Sequence, residues 1–216
     1  MHTLKQIGIQ RLFTVLFIIS FFAPPVIAKS VYAITNHDAS TVKAYLIQDD
    51  QIEEQATAEN LPDHVEGAVG LALDPDSETL FVTYENSNII EMVNAKTMIY
   101  QQNPTPVTGA TNLAGIAFDQ SKQKLYVVQR GSNKLYVYSW DPSSKTLMLE
   151  GGAYKTLANF PTYPGAYGLA LDKTDGLLYV TDSNSTVRCY DANDPNWVHR
   201  GSLISINTCI KAAIIV

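Results

Sequence analysis

The sequence predicts an all-β fold of repeated antiparallel sheets, and three observations support that prediction. A Gly-x-Ala-x-Asp segment occurs three times along the chain. Each copy is followed by a second short apolar segment, a polar turn and a third apolar segment, in the same order. No segment after residue 28 shows the 3.6-residue apolar periodicity of an amphipathic helix.

The first strand of each repeat opens with a glycine and closes with an aspartate. A carboxylate at a strand end folds back onto backbone N–H groups and holds the turn, while the glycine permits a tight bend or a close backbone approach. We therefore assign a structural role to the repeated residues Gly70, Asp74, Gly115, Asp119, Gly168 and Asp172.

The second and third strands complete an antiparallel unit. Segments rich in Val, Ile, Leu and Tyr, separated by Asp, Asn, Gly and Ser, are typical of hairpins. The second strands are predicted at residues 80–83, 125–128 and 178–181, and the third at 89–93, 134–138 and 186–190.

The spacing of the repeats distinguishes a propeller from other all-β architectures. Gly70 and Gly115 are 45 residues apart, and Gly115 and Gly168 are 53 apart. Periods of about 40–50 residues with several strands each indicate propeller blades, and a sandwich or barrel would not need the same opening in every unit. The sequence thus predicts a β-propeller of four-stranded antiparallel blades. About four blades are expected, starting near residues 31, 70, 115 and 168, with a final strand at 213–216.

These motifs resemble the YVTN and NHL β-propeller repeats. The resemblance lies in the Gly-[Leu/Ile]-Ala-x-Asp strand, the Leu-[Phe/Tyr]-Val-[Thr/Val] strand and the Asn-containing turn, and it covers nearly all of the chain after residue 28. It implies the architecture rather than one activity, because such proteins serve as surface proteins, binding scaffolds, lyases or lactonases.

The N-terminal segment has the layout of a secretory signal peptide. Lys5 and Arg11 precede an apolar run at residues 12–23, and Ala28 ends a short segment suited to cleavage. The alternative is a membrane anchor, but twelve residues reach only about 18 Å as a helix. We expect residues 1–28 to be removed, residues 29–216 to form the propeller without a membrane span, and the protein to be secreted to a periplasm, the cell surface or the medium.

The two ends of the propeller segment leave its closure open. The first repeat matches only second and third strands, whereas residues 213–216 look like the first strand of another repeat. Either the chain is the first part of a larger ring, which we favour, or residues 213–216 supply the missing innermost strand of the first blade.

Charge and cysteine content exclude some functions and leave others open. The formal net charge is −6, and no Lys/Arg cluster is present, which argues against a nucleic-acid partner. Cys189 and Cys209 could pair in an exported protein, but Cys189 equally suits a small buried position. The histidines His37, His64 and His199 lack partners at metal-ligand spacing.

No catalytic or metal site is evident from the sequence. The resemblance to lactonase-type propellers implies a metal, with calcium as the candidate, held in a central channel by residues such as Glu66, Asn112 and Asp182. The longer third repeat instead suggests a binding loop, because loops on rigid scaffolds carry recognition and aromatic rings provide contact area. Its candidate residues are Trp140, Tyr154, Phe160, Tyr163 and Tyr167.

Two functions therefore remain in view. The sequence favours a secreted, non-enzymatic binding scaffold with a protein or glycan partner. The alternative is a lactonase-like hydrolase or lyase with a metal in the channel. The fold alone does not decide between them, because propellers host many functions.

Overall fold

The described residues form seventeen β-strands and one short 3-10 turn, arranged in four antiparallel sheets. The computed structural model describes residues 15–17, 29–36, 41–48, 51–58, 67–101, 105–160, 165–182, 186–194, 196–197 and 199–205. The prediction of an all-β propeller with four-stranded blades is confirmed. The predicted final strand at residues 213–216 lies outside the described residues.

Blade 1 contains a strand that the sequence did not predict. The sheet order is β1-β2-β3-β4, and its strands are β1 (Val15–Phe17), β2 (Lys29–Asn36), β3 (Thr41–Gln48) and β4 (Gln51–Thr57). The repeat pattern leaves this blade without an innermost strand, but in the full chain β1 pairs with β2 at that position. An apolar segment can fill an open sheet edge because the edge presents unpaired N–H and C=O groups. Removal of residues 1–28, as predicted, would leave β2 as the innermost strand.

Blades 2, 3 and 4 each run from the innermost to the outermost strand in chain order. Blade 2 consists of β5 (Ala68–Asp74), β6 (Thr79–Tyr84), β7 (Ile89–Asn94) and β8 (Thr105–Pro106). Blade 3 consists of β9 (Leu113–Asp119), β10 (Lys124–Gln129), β11 (Lys134–Asp141) and β12 (Thr146–Leu149), then the 3-10 turn Glu150–Gly152 and β13 (Lys155–Thr156). Blade 4 consists of β14 (Ala166–Asp172), β15 (Leu177–Asp182), β16 (Thr186–Asp191) and β17 (His199–Ser205).

The three glycine-led segments occupy equivalent positions in their blades. The repeated alanine pairs with an aromatic residue of the second strand in each case. The register partners are Ala72 with Phe81, Ala117 with Tyr126, and Ala170 with Tyr179. Because a one-residue slip would turn every side chain to the other face of the sheet, this shared register gives each blade the same two faces.

The hydrophobic core lies between the blades rather than within any one of them. One cluster fills the space between blades 1 and 2 and includes Tyr32, Leu80 and Tyr84. A second lies between blades 2 and 3 and includes Phe81, and a third lies between blades 3 and 4 and includes Tyr126. Each blade is therefore stabilised by its neighbours, as repeat architectures require.

Innermost strands of neighbouring blades approach one another closely at two of the repeated glycines, Gly70 and Gly115. A Cβ on Gly115 would overlap the backbone nitrogen of Leu169 and lie 2.7 Å from the carbonyl carbon of Gly168. A Cβ on Gly70 would lie 2.7 Å from the carbonyl oxygen of Ala114. The glycines are needed here because backbone, which cannot move aside, occupies the space of a side chain.

The innermost strands of blades 2, 3 and 4 run in the same direction relative to their second strands. The start of each innermost strand pairs with the end of the second strand, as Ala68 does with Tyr84 and Ala166 with Asp182. The turns that leave the second strands thus lie on one face of the propeller, which we call the mouth face. No helix among the described residues is long and apolar enough to span a membrane.

Candidate functional site at the mouth face

The turns of the mouth face are fixed by backbone hydrogen bonds, some within a blade and one between blades. The backbone N–H of Arg130 donates to the carbonyl of Asn112, at 2.9 Å, just before β9 begins. The same turn reaches blade 4, where the N–H of Ala166 donates to the carbonyl of Ser132 at 2.8 Å. On blade 2, the N–H of Glu85 donates to the carbonyl of Gly67 at 2.7 Å. These bonds hold the first residue of two turns beside the innermost strands.

Side chains from three blades meet on this face. The Arg130 guanidinium of blade 3 forms an ion pair with the Glu85 carboxylate of blade 2. The same guanidinium lies over the ring of Tyr167 in blade 4, with 4.7 Å between its central carbon and the ring centroid. The side chains of Arg130 and Glu85 are 33% and 23% exposed, so both remain accessible to a solute. We call Glu85, Arg130 and Tyr167 the mouth cluster.

The geometry of the mouth cluster suits an anionic or strongly polar ligand. A guanidinium has five N–H donors in a planar fork, and stacking on a ring uses none of them, so donors remain for a ligand beyond the ion pair with Glu85. The Glu85 carboxylate beside it is an acceptor and a potential proton acceptor in a reaction. The cluster therefore places a fixed cation next to a carboxylate and an aromatic ring.

A second ion pair lies close by in blade 4. The Asp182 carboxylate accepts hydrogen bonds from the backbone N–H of Thr186, at 3.0 Å, and from Nη1 of Arg188, at 2.8 Å. The Asp182 side chain is only 2% exposed, and Arg188 stacks over Phe160 at 5.0 Å. Because this carboxylate is buried and already paired, it holds the β15–β16 turn rather than facing a ligand.

Two of the three candidate metal ligands make other contacts in the structure. Asp182 is paired with a cation, which competes with a metal ion for the carboxylate, and Asn112 contributes its backbone carbonyl to the Arg130 turn. The described residues contain no group of three His, Cys, Asp or Glu residues that could hold a metal ion. The remaining candidate ligand, Glu66, lies outside the described part of the chain.

The five aromatic residues predicted for a binding loop do not form one surface. Trp140 and Phe160 are buried, at 4% and 5% exposure, and belong to the cores on either side of blade 3. Tyr167 joins the mouth cluster, and Tyr154 is exposed at 44%. Tyr163 lies outside the described residues. Burial withdraws Trp140 and Phe160 from ligand contact because their rings fill the spaces between blades.

Trp140 also makes a polar contact between blades. Its indole N–H donates to the Asp74 carboxylate of blade 2 at 2.8 Å, and its ring meets Phe81 edge-on at 5.0 Å between centroids. Nearby, Lys145 of blade 3 donates to the backbone carbonyl of Ser77 at 2.8 Å. These contacts lie at the strand ends opposite the mouth face, so they tie blades 2 and 3 together there.

The repeated aspartates hold the turns between first and second strands. Asp74 accepts from the N–H of Asp76 at 3.2 Å, and Asp172 accepts from the N–H of Thr174 at 2.8 Å. Burial acts to raise the pKa of Asp119, but hydrogen bonds from Ser121 and Lys122 outweigh that effect, so its pKa lies below the ordinary value. All three carboxylates are therefore engaged by their own turns.

The cysteine and histidine candidates are mostly structural or undescribed. Cys189 is a buried free cysteine, and burial raises the pKa of its thiol. Its predicted partner Cys209 lies outside the described residues, as do His37 and His64. His199, on β17, packs against the ring of Tyr190 with 5.8 Å between centroids.

Sequence reasoning does not single out Glu85 and Arg130, because each opens a polar turn that hairpin chemistry explains. A signal is nevertheless present in the repeat. The second strand ends in Tyr84, Gln129 or Asp182, and Glu85 and Arg130 follow the first two. These residues differ in charge at equivalent positions, whereas the preceding strands are nearly identical.

Fold and site together define a β-propeller with a polar cluster at the mouth of its axis. The family model described as "Lactonase, 7-bladed beta-propeller" matches residues 71–195, which is more than half of the chain. The protein therefore belongs to the lactonase family of seven-bladed β-propellers, of which the structure describes four blades.

Other comparisons add little to this assignment. A chain from the crystal structure of a nidogen/laminin complex is similar with a TM-score of 0.48 and 18% sequence identity. The alignment covers 74% of this chain and 59% of that chain, so less than two thirds of the solved chain is spanned. No curated protein matches.

Proposed function

We propose that this protein is an exported binding propeller that holds a small hydroxylated ligand, bearing a carboxylate or a lactone carbonyl, in the mouth cluster. The observation that carries the proposal is the meeting of Glu85, Arg130 and Tyr167 from three successive blades. A cation stacked on a ring and bridged to a neighbouring blade is pre-organised, so a ligand does not need to order it. Binding of a small polar ligand in the mouth cluster is the version of the predicted scaffold function that agrees best with the geometry.

Lactone hydrolysis at the same cluster is the second candidate, and the family match favours it. In ring opening, a base takes a proton from water as the water oxygen adds to the carbonyl carbon, and a donor stabilises the oxyanion that forms. The ring C–O bond then breaks, and the proton passes from the base to the leaving alkoxide. In this candidate the Glu85 carboxylate is the base and the Arg130 guanidinium is the donor.

One pair of variants separates binding from hydrolysis. Arg130→Gln removes the cation, and we expect binding of gluconate and of glucono-δ-lactone, followed by calorimetry, to weaken about tenfold or more, since a charge-assisted hydrogen bond contributes about 1.5–3 kcal/mol. Glu85→Gln keeps the shape of the cluster but removes the base. If the protein is a hydrolase, a pH-stat assay will show turnover in the wild type that Glu85→Gln loses while it still binds.

A matched control is Arg200→Gln, on β17, whose ion pair with Asp191 lies outside the mouth cluster. It is expected to bind like the wild type. Equal affinity of Arg130→Gln and wild type for both compounds would contradict the proposed site. Binding without turnover would leave the scaffold function and reject the hydrolase.

Export is proposed from the N-terminal charge and apolar pattern alone. Cleavage after Ala28 predicts Lys29 as the first residue of the mature protein. N-terminal sequencing of the protein recovered outside the cytoplasm tests this, and an intact Met1 on exported or retained protein would contradict it.

A further inference from the structure

The face of blade 4 that points away from blade 3 repeats a pattern that other blades cover elsewhere in the molecule. In blades 2 and 3, the repeated alanine and its aromatic partner are at most 8% exposed and pack against the following blade. These pairs are Ala72 with Phe81 and Ala117 with Tyr126. The equivalent pair in blade 4 is Ala170 with Tyr179, and both are only half-buried. Blade 4 therefore has the pattern of a docking face without a following blade among the described residues.

A threonine on this face is placed to bind a further strand. In blade 2 the Thr83 hydroxyl donates to the carbonyl of Ala114, on the innermost strand of blade 3, at 2.6 Å. Thr181 is the equivalent residue of blade 4, two positions after Tyr179 and on the same face. Its oxygen accepts the N–H of Gly168 at 2.8 Å, which leaves its hydrogen for an acceptor beyond blade 4.

The glycine of this face suits the close approach of another backbone. Gly168 is equivalent to Gly115, at which a Cβ would overlap the backbone nitrogen of Leu169 in the following blade. A side chain is absent at both positions, so a strand can lie directly against the sheet. We call Gly168, Ala170, Tyr179 and Thr181 the outer face of blade 4.

A segment with the right spacing and length follows blade 4 in the chain. Ala213 comes 45 residues after Gly168, which is also the separation of Gly115 from Gly70. The third strand of blade 4, β16, ends 22 residues before Ala213, and the third strand of blade 2, β7, ends 21 residues before Gly115. A connection of this length thus brings the chain from one blade to the innermost strand of the next.

We propose that residues 212–216 lie on the outer face of blade 4 as the innermost strand of a further blade. Side chains alternate along a strand, so Ile214 and Val216 point toward blade 4 together. In blade 3 the residues at these two positions, Ile116 and Phe118, belong to the core shared with blade 2. Apolar side chains are therefore present where the outer face needs them.

Two contacts between blades 2 and 3 are expected to recur at this interface. Val216 holds the position of Phe118, whose ring lies 5.7 Å between centroids from the repeated aromatic residue of blade 2, so Val216 packs on Tyr179. Ala212 directly precedes the glycine position of its repeat, like the acceptor in blade 3, so its carbonyl accepts the Thr181 hydrogen.

The inner edge of blade 1 and a second copy of the chain define the competing arrangements. In the full chain, β1 already pairs with β2 at the inner edge of blade 1, so residues 213–216 would have to displace it there. A second copy would have to compete with a segment that is covalently linked to the face and therefore present at high effective concentration. The proposal goes beyond the proposed function, because the outer face of blade 4 includes no residue of the mouth cluster.

The test is a cross-link between two introduced cysteines in the full-length protein, with Cys189→Val and Cys209→Ser removing the native thiols. Valine suits position 189 because Val137 is the equivalent residue of blade 3. Val216→Cys is combined with Tyr179→Cys, and a short bis-maleimide is added before peptide mapping by mass spectrometry. We expect at least about tenfold more cross-linked product within one chain than in the control pair.

The control pair is Val216→Cys with Ile52→Cys, since Ile52 is 68% exposed on blade 1 and does not belong to the outer face. A third pair, Val216→Cys with Thr35→Cys on β2, reports closure onto blade 1. The proposal is overturned if only the Thr35 pair reacts within one chain, if the Tyr179 pair gives only cross-linked dimers, or if it reacts no more than the control.

Tryptic cleavage after Lys211 provides a second measurement that leaves the outer face unchanged. Ile214→Asp puts a charge against apolar groups, so the segment should leave the face and be cleaved about tenfold faster, because proteolysis follows the population of the open state. Ile52→Asp should be cleaved after Lys211 like the wild type. Equal rates for Ile214→Asp and Ile52→Asp would overturn the proposal, and gluconate binding would be unaffected, so it fails separately from the mouth cluster.

Discussion

At the scale of single residues, one blade can pack closely on the next because glycine, which has no side chain, occupies two positions of the innermost strands. Gly70 and Gly115 leave space that the backbone of the following blade fills. Protein interiors are close-packed, so a methyl group placed there cannot be absorbed by a small shift. The repeated glycine is thus a condition for the spacing of the innermost strands.

Gly115→Ala is expected to lower the free energy of unfolding by about 3 kcal/mol through overpacking. Urea denaturation followed by far-UV circular dichroism measures it. Gly109→Ala is the matched control: Gly109 has φ of +80°, and a Cβ added there would meet no atom within 4 Å, so only backbone strain of about 1 kcal/mol applies. Similar losses in both variants would show that the innermost strands are not closely packed at Gly115.

At the scale of elements, polar side chains tie each blade to its neighbour in addition to the apolar core. Trp140 on β11 donates to Asp74 at the end of β5, and Gln120 donates to Asp76 at 2.6 Å. Lys122 donates to Asn193 of blade 4 at 2.7 Å. Such ties orient one sheet against the next, because a hydrogen bond requires distance and direction together.

Trp140→Phe keeps an aromatic ring against Phe81 but removes the donor to the fully buried Asp74. Because a buried carboxylate then loses a partner, we expect the free energy of unfolding to fall by about 2 kcal/mol. Trp197→Phe makes the same change at a buried tryptophan that packs edge-on against Tyr126. Guanidinium unfolding measures the free energy of unfolding of both variants. If Trp197→Phe lowers it as much as Trp140→Phe does, the hydrogen bond to Asp74 does not contribute the expected stability.

At the scale of the whole molecule, the interfaces between blades bury many phenol groups. Tyr84, Tyr126 and Tyr138 are at most 2% exposed, and their hydroxyls have no hydrogen-bond partner within the described structure. Burial raises the pKa of each of these phenols, because the charged form loses its hydration. Every described interface between blades contains at least one of them.

Alkaline pH should therefore unfold the protein and release these protons in one transition. The folded state holds the phenol protons above the ordinary pKa of about 10, so their stabilisation is complete below that pH and is lost as the pH rises further. Tyrosinate absorbance at 295 nm should rise first for accessible tyrosines and again together with the loss of β-sheet circular dichroism. Tyr138→Phe should reduce the second rise by one group and keep or increase stability. A single rise near pH 10 with an intact fold would contradict the burial of these residues.

Much of the architecture was predictable because the same sequence pattern occurs in three repeats. The strands, their turns and the close approach at Gly115 follow from one motif read at three positions. The same reasoning failed for Trp140 and Phe160, since an aromatic residue in a long repeat suits a core as well as a binding loop. It also left blade 1 without the strand β1, because Val15–Phe17 carries no repeat motif and lies in the predicted signal peptide.

The sequence by itself determined the successive strands of each blade, the turns between them and the repeated Gly and Asp, because these depend on residues within one repeat. Only the tertiary structure decided which side chains of different blades meet. Glu85, Arg130 and Tyr167 are separated by whole repeats, and their contact depends on the angle between one sheet and the next. That angle is set by the packing of the cores between blades, which no local pattern expresses.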